Sequence, residues 1–266
     1  MERCAQVRDQ VTKLRILGCS GGIGGDLRTT SMLLDDDVLI DAGTGVGDLS
    51  LQQLANIDHI FVTHSHLDHV TSIPFLLDTA GWQRTRPVTL YAIQETLDIL
   101  SAHLFNWKLW PDFRQIPDAQ SPVLRYAPVR VGVPVVLDGG RTITPVPANH
   151  VVPAVGYHLD SGAASLVFTG DTTSQHEIWK YINKINNLEY IIIESALSDS
   201  ERELAVVSKH LCPGLLAEEL AKLQLDPAIY VTHFKPREAE LIMEQIVARI
   251  PRRRLRMLQQ NQIFEF

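Results

Sequence analysis

Three histidines and an aspartate fall within six residues, in Thr63-His64-Ser65-His66-Leu67-Asp68-His69, directly after the apolar run over 59–62. In an extended chain His64 and His66 project to the same side, so one metal ion can take both. Asp68 and His69 come after the chain turns and would face a second ion. Neutral imidazoles with a carboxylate suit a borderline divalent ion, Zn²⁺ first, with Mn²⁺ or Fe²⁺ as alternates. Two ions need more ligands than one turn supplies, so other strand ends must converge on this one. The chain offers three. His150 closes the run over 142–149, Asp171 sits in Thr169-Gly170-Asp171-Thr172, and His233 ends Val231-Thr232-His233. Asp171 is the candidate bridge, because only a carboxylate has two oxygens to share between ions.

The rest of the chain reads as short strands between Gly-rich turns, then strands alternating with helices. Strands are predicted over 13–17, 31–34, 38–40 and 59–63, with a glycine-rich loop over 18–25, a hairpin turn at Asp35-Asp36-Asp37 and a helix over 49–55. A second strand-rich half is predicted over 131–136, 142–147, 156–159, 165–169, 190–193 and 229–232. Helices are expected over 177–185, 215–223 and 237–248. Between the halves, Trp82, Phe105, Trp107, Trp110 and Phe113 crowd one stretch, expected as an aromatic-rich insert or lid at about 82–128. Arg252-Arg253-Arg254 and Arg256 read as a solvated basic end. No repeat of solenoid period is present. Two strand-rich halves flanked by helices predict an α/β fold, a single αββα sandwich over 1–266.

Composition narrows the partners. Lys+Arg 24 against Asp+Glu 31 gives −7, which argues against holding long nucleic acid by bulk charge. Cys4, Cys19 and Cys212 are scattered, without a CxxC pair, so no disulfide scaffold is expected and a reducing cytoplasm is the natural compartment. Glu2, Arg3, Arg8 and Asp9 leave no apolar signal core, and Pro145, Pro147, Asn149 and Pro153 break the longest charge-free run. A soluble protein with no membrane partner is expected.

The His-Ser-His-Leu-Asp-His run, the lone His150, the Gly-Asp-Thr aspartate and the Thr-His233-Phe pattern together resemble the metallo-β-lactamase superfamily, over residues 14 to about 248. The resemblance implies a four-layer sandwich of the metallo-β-lactamase type. It implies one ion on His64, His66 and His150, the other on Asp68, His69 and His233, and Asp171 between them. Asp41 matches the family's aspartate beside the site. Two branches compete. The run from His64 to Ile73, Glu194-Ser195-Ala196 and Lys209-His210-Leu211-Cys212-Pro213 resemble the class II cyclic-nucleotide phosphodiesterases. Val231-Thr232-His233-Phe234 and Pro153-Ala154-Val155-Gly156-Tyr157 are also similar to tRNase Z. However, that branch prefers Gly where Leu67 stands, and its protruding Gly/Pro-rich arm has no counterpart here.

The activity this implies is hydrolysis of 3′,5′-cyclic AMP to the 5′-monophosphate by a hydroxide bridging two divalent ions. Asp68 would orient the nucleophile or accept its proton, and His210, oriented by Glu194, would protonate the leaving 3′-oxygen. Formal charge counting over two divalent ions, two aspartates and one hydroxide leaves a site of about +1 inside an acidic chain. A small cyclic phosphodiester fits that better than a long polyanion. The alternatives are tRNase Z-like RNA 3′-processing, a thioester or lactone hydrolase on the same fold, and a non-catalytic metal-binding module. Homodimers are compatible with the superfamily. Ser72 and the glycine-rich loop are candidates to line the mouth, while Arg28 reads more readily as a surface residue than as a phosphate ligand. His59, His103, His158 and His176 are expected to be structural or exposed.

Overall fold

The computed structural model describes residues 11–266, so Cys4 and the charged residues Glu2, Arg3, Arg8 and Asp9 lie outside the described residues. The first apolar runs are continuous rather than alternating, and they form strands buried on both faces. β1 (Lys13–Gly18), β2 (Ser31–Leu34) and β3 (Val38–Ala42) make an antiparallel meander. α1 (Leu51–Asn56) follows, opened by a reciprocal Ser50–Gln53 capping box. Then come β4 (His59–Phe61), α2 (Leu67–Val70), α3 (Ile73–Ala80), β5 (Val88–Ala92), α4 (Gln94–His103) and β6 (Leu124–Pro128). Helical crossovers let β4, β5 and β6 add in parallel beside β3.

The second half contains β7 (Val135–Val136), β8 (Thr142–Pro147), β9 (Val155–Asp160), β10 (Ser165–Phe168), α5 (Glu177–Ile182), β11 (Leu188–Glu194), α6 (Arg202–Ser208), α7 (Pro213–Leu220), β12 (Ala228–Thr232), α8 (Ala239–Arg249), β13 (Leu255–Met257) and β14 (Ile263–Glu265). The sheet orders are β14-β1-β2-β3-β4-β5-β6 and β13-β12-β11-β10-β9-β8-β7. Three cores follow from this layering. Leu14, Ile40 and Phe61 of the first sheet meet Tyr157, Leu166 and Ile192 of the second. One outer core joins β3–β6 to α3 and α4, and the other joins β10–β12 to α5, α7 and α8. The α/β sandwich is therefore four layers, αββα.

Two expectations change. Residues 82–128 are not one insertion, because β5 and β6 are strands of the first sheet and α4 packs against it, and the longest stretch there without helix or strand is 104–123. Phe105 and Phe113 are buried in the outer core, where they act as packing; Trp82 and Trp107 are exposed. The strand expected over 131–136 shrinks to Val135–Val136, since Gly132 turns the chain at φ 78°. The basic end is solvated as expected, with Arg252, Arg254 and Arg256 exposed, and it also extends the second sheet. Leu255–Met257 pairs in parallel with β12, and the Arg253 guanidinium donates to the carbonyls of Leu223 and Leu225.

Candidate metal centre

β8, β10, β11 and β12 run in one direction, as do β3 and β4 in the first sheet. Loops beyond the carboxyl ends of like-directed strands are where α/β sheets gather ligands. Asp41 lies in β3, the histidine-rich turn follows β4, His150 follows β8, Asp171 follows β10, Glu194 ends β11 and His233 follows β12. Two positions need unusual backbone to do this: Asp41 at φ 54° and His233 at φ 65°.

The side chains converge on Asp171. Its Oδ2 lies 3.3 Å from His233 Nε2, 3.5 Å from His69 Nε2, 3.7 Å from His64 Nε2 and 3.9 Å from His150 Nε2. Asp68 Oδ2 is 3.7 Å from His233 Nε2 and 3.8 Å from His69 Nε2. Ligands about 2.0–2.2 Å from a tetrahedral ion sit roughly 3.3–3.6 Å from one another, so two of these spacings match donors around a shared cation and the others lie a few tenths of an ångström beyond. Two sets emerge, His64-His66-His150-Asp171 and Asp68-His69-His233; in each, one donor atom per residue lies within 4.8 Å of all the others. Asp171 also groups with His210 and His233.

The tautomers fit cations as well. The Thr63 hydroxyl donates to Asp41 Oδ2 at 2.8 Å, so its lone pair is free to accept from His64 Nδ1–H at 3.0 Å. His69 Nδ1–H donates to Asp41 Oδ2 at 2.7 Å, and His150 Nδ1–H donates to the Lys209 carbonyl at 3.1 Å. His233 Nδ1 faces Thr30 Oγ1 at 3.3 Å. With the far nitrogens engaged, the Nε2 atoms are left for the pocket, and those of His64 and His69 are buried without any hydrogen-bond partner. Orphaned buried nitrogens aimed at a carboxylate are costly unless a cation takes them.

Electrostatics favour neutral, ligating imidazoles. Burial drives His64 well below the usual histidine range and lowers His66. It takes His150 and His233 down to about 4. His69 goes the other way: burial opposes its charge, but Asp171 and Asp41 outweigh it and hold the imidazole well above the usual range. Asp171 is likewise pulled two ways, with burial opposed by the His233, His69 and His64 rings, and it ends well below the usual carboxylate range.

Beside this cluster lies a second device. His210 Nδ1–H donates to Glu194 Oε1 at 2.8 Å, and Glu194 also accepts from the backbone N–H groups of Thr172 (2.9 Å) and Leu211 (3.1 Å). Glu194 is wholly buried, and the His210 ring stacks on His233 with centroids 5.4 Å apart. Burial would lower His210, but Glu194 wins and raises it. All nine sequence-derived site residues are thus brought together.

Other candidates fall away. Ser72 is buried and donates to the Gly43 carbonyl at 2.7 Å, so it does not line a mouth. Arg28 is held by Asp48 at 3.0 Å, as a surface residue would be. His59 and His158 meet the hydroxyls of Tyr91 and Tyr181, while His103 and His176 are exposed. Sequence reasoning passed over Thr30, Thr63 and Lys209, which orient the imidazoles. The one visible signal was a threonine preceding His64, Gly170 and His233 at three strand ends.

The model of the Beta-lactamase superfamily domain matches residues 36–245. The chain belongs to the beta-lactamase superfamily. Within the superfamily it is similar to a protein of Bradyrhizobium diazoefficiens named Ribonuclease Z, 27% identical over 303 residues, covering 91% of this chain and 96% of that one. It is also similar to a 3′,5′-cyclic-nucleotide phosphodiesterase of Schizosaccharomyces pombe, 23% identical over 252 residues, covering 79% of this chain and 69% of the other. The crystal structure of unliganded yeast PDE1 superposes with a TM-score of 0.81 at 18% identity, covering 96% of this chain and 99% of that one, which is a likeness of fold. The chain is a metallo-hydrolase of this superfamily, with a His/Asp cluster able to bind metal ions. Among the described residues no helix is long and apolar enough to cross a membrane.

Proposed function

We propose that this chain is a binuclear metal-dependent phosphodiesterase that hydrolyses 3′,5′-cyclic AMP to the 5′-monophosphate. His64, His66 and His150 would hold one divalent ion, Asp68, His69 and His233 the other, and Asp171 both; Zn²⁺ best suits that donor set, with Mn²⁺ or Fe²⁺ as alternates. When bound, such ions supply Lewis acidity toward phosphoryl oxygens and lower the pKa of water toward neutrality.

The observation that carries the reading is the buried Glu194–His210 pair beside the cluster. Glu194 fixes Nδ1–H, so the other ring nitrogen faces the pocket, and the carboxylate stabilises the imidazolium. A leaving alkoxide needs that proton, whereas a thiolate leaves unaided, so the pair favours a phosphodiester over a thioester. Asp68 is the part-exposed carboxylate of the cluster, placed to orient the incoming oxygen or take its proton.

Two features favour a small substrate. The net charge is −7. The longest irregular segment among the described residues, 104–123, is anchored through Phe105 and Phe113 instead of projecting as an arm. The second reading, RNA 3′-processing, is favoured by the near-full-length similarity to a protein named Ribonuclease Z. Cys19 and Cys212 are free thiols, in keeping with a reducing cytoplasm. A side-by-side assay with cyclic AMP, cyclic GMP, a bis(aryl) phosphodiester and precursor tRNA separates the readings. Hydrolysis of cyclic AMP, lost on chelation and restored by Zn²⁺, is expected; cleavage of precursor tRNA without cyclic-nucleotide hydrolysis would overturn the assignment.

A further inference from the structure

We propose that Lys209 is a positioning residue that holds the acid His210 and the pocket histidine His150 in register, an inference that rests on the reading of the site given above. Lys209 caps α6 and precedes His210 in the chain, and the His150 and His210 rings meet edge to face with centroids 5.0 Å apart. Its carbonyl accepts from His150 Nδ1–H at 3.1 Å, and its Nζ donates back to the His150 carbonyl at 3.0 Å and to Asn149 Oδ1 at 3.2 Å. The ammonium is thus spent on two neutral oxygens beside the pocket and makes no ion pair among the described residues.

These contacts close a ring. From His210 it passes to Glu194 Oε1, which accepts the Thr172 N–H; the Thr172 hydroxyl accepts the Asn149 N–H at 3.0 Å, and Asn149 adjoins His150. Asn149 also donates to the Ser174 carbonyl at 3.2 Å, on the loop that carries Asp171. Lys209 Nζ spans this ring, so hydrogen bonds tie the loops after β8 and β10 to the end of α6. The imidazole that faces Asp171 is held by the Lys209 carbonyl and the imidazole that gives up a proton is the next residue, so both depend on the backbone that the Lys209 side chain anchors.

The backbone argues that the lysine is kept for more than capping. Lys209 has φ 53° and ψ 47°, the left-handed conformation in which a helix C-terminus favours glycine. A non-glycine residue there costs stability and persists where something else is gained. This gives a test in which stability and positioning part company. Lys209→Gly keeps the backbone carbonyl and relieves the strain, but removes the ammonium.

The experiment measures the melting temperature, the binding of Co²⁺ to chelator-stripped protein, and steady-state kinetics on cyclic AMP, for wild type, Lys209→Gly and Lys209→Arg. For Lys209→Gly we expect an unchanged or higher melting temperature, one of two Co²⁺ sites weakened about tenfold or more, and kcat reduced about tenfold with a smaller change in KM. Lys209→Arg, whose cation reaches the same two oxygens, recovers part of both losses. Wild-type Co²⁺ affinity and kcat in Lys209→Gly would overturn the proposal and leave Lys209 a helix cap. If wild type does not hydrolyse cyclic AMP, the substrate assignment fails, and the Co²⁺ titration still decides the role of Lys209.

Discussion

At the scale of single residues, the side chains of the candidate metal cluster could be read from the sequence because each is a chemically rare type at a recognisable place, the end of an apolar run. What orients them could not. Thr63 serves His64 only because Asp41, 22 positions earlier, takes its hydroxyl proton, and Lys209 reaches His150 across 59 positions. Such pairings exist only once the sheets are stacked. If His210 is the acid, His210→Ala should lower kcat on cyclic AMP by about 10²–10⁴-fold. It should cost much less on a bis(aryl) phosphodiester, whose leaving group needs no proton; equal losses on both would exclude the acid role. The histidines also set a pH dependence. In metal-stripped protein, His150 and His233 titrate near 4 when folded but at about 6.5 when unfolded, so below pH 6.5 the unfolded chain takes protons that the folded chain refuses. The raised groups His69 and His210 oppose this only around pH 6.5, where the unfolded histidines are still partly neutral, and add little slope toward pH 5, while the lowered His64 and His66 act in the same sense as His150 and His233. The melting temperature of the stripped protein should therefore fall as pH drops from 6.5 toward 5, and His150→Asn should flatten that fall. A profile flat over this window would contradict the assignment.

At the scale of elements, long apolar runs ending in Asp, His or Gly were legible as strands, and the helix over 239–249 was legible from its apolar spacing. β5 and β6 escaped notice because prolines and large aromatics surround them, and that texture reads as loop. β13 and β14 are three residues each, too short to carry a period; sheet edges make them strands. Elements also meet closely behind the metal-binding turn. A Cβ on Gly43 would intrude on the Asp68 and Thr30 carbonyls, which are backbone and cannot swing aside, and on the Thr29 hydroxyl, which is tied to Thr44. Gly43→Ala should destabilise by about 1–3 kcal/mol as an overpacked contact and displace α2. The denaturation midpoint and bound metal should fall together, and wild-type values of both would show the turn to be more tolerant than its geometry implies.

At the scale of the molecule, the site belongs to neither half alone. His64, His66, Asp68 and His69 come from the first sheet's loops, and His150, Asp171 and His233 from the second's. The α/β class followed from the pattern of runs, but the stacking of the halves is set by side chains the pattern cannot rank. Tyr157 is one. Wholly buried between the sheets, it packs edge-on to Phe61 and donates to the Val62 carbonyl at 2.8 Å, just before the histidine-rich turn. Tyr157→Ala should cost about 3–5 kcal/mol, measured by urea denaturation, and weaken metal retention, because it loosens one half against the other. The central claim is that two halves meeting at their strand ends build one binuclear centre around Asp171. Elemental analysis of purified protein tests it most directly. About two divalent ions per chain are expected, falling to about one or fewer in a folded Asp171→Ala variant; one ion or none in the wild type, or two retained without Asp171, would contradict it.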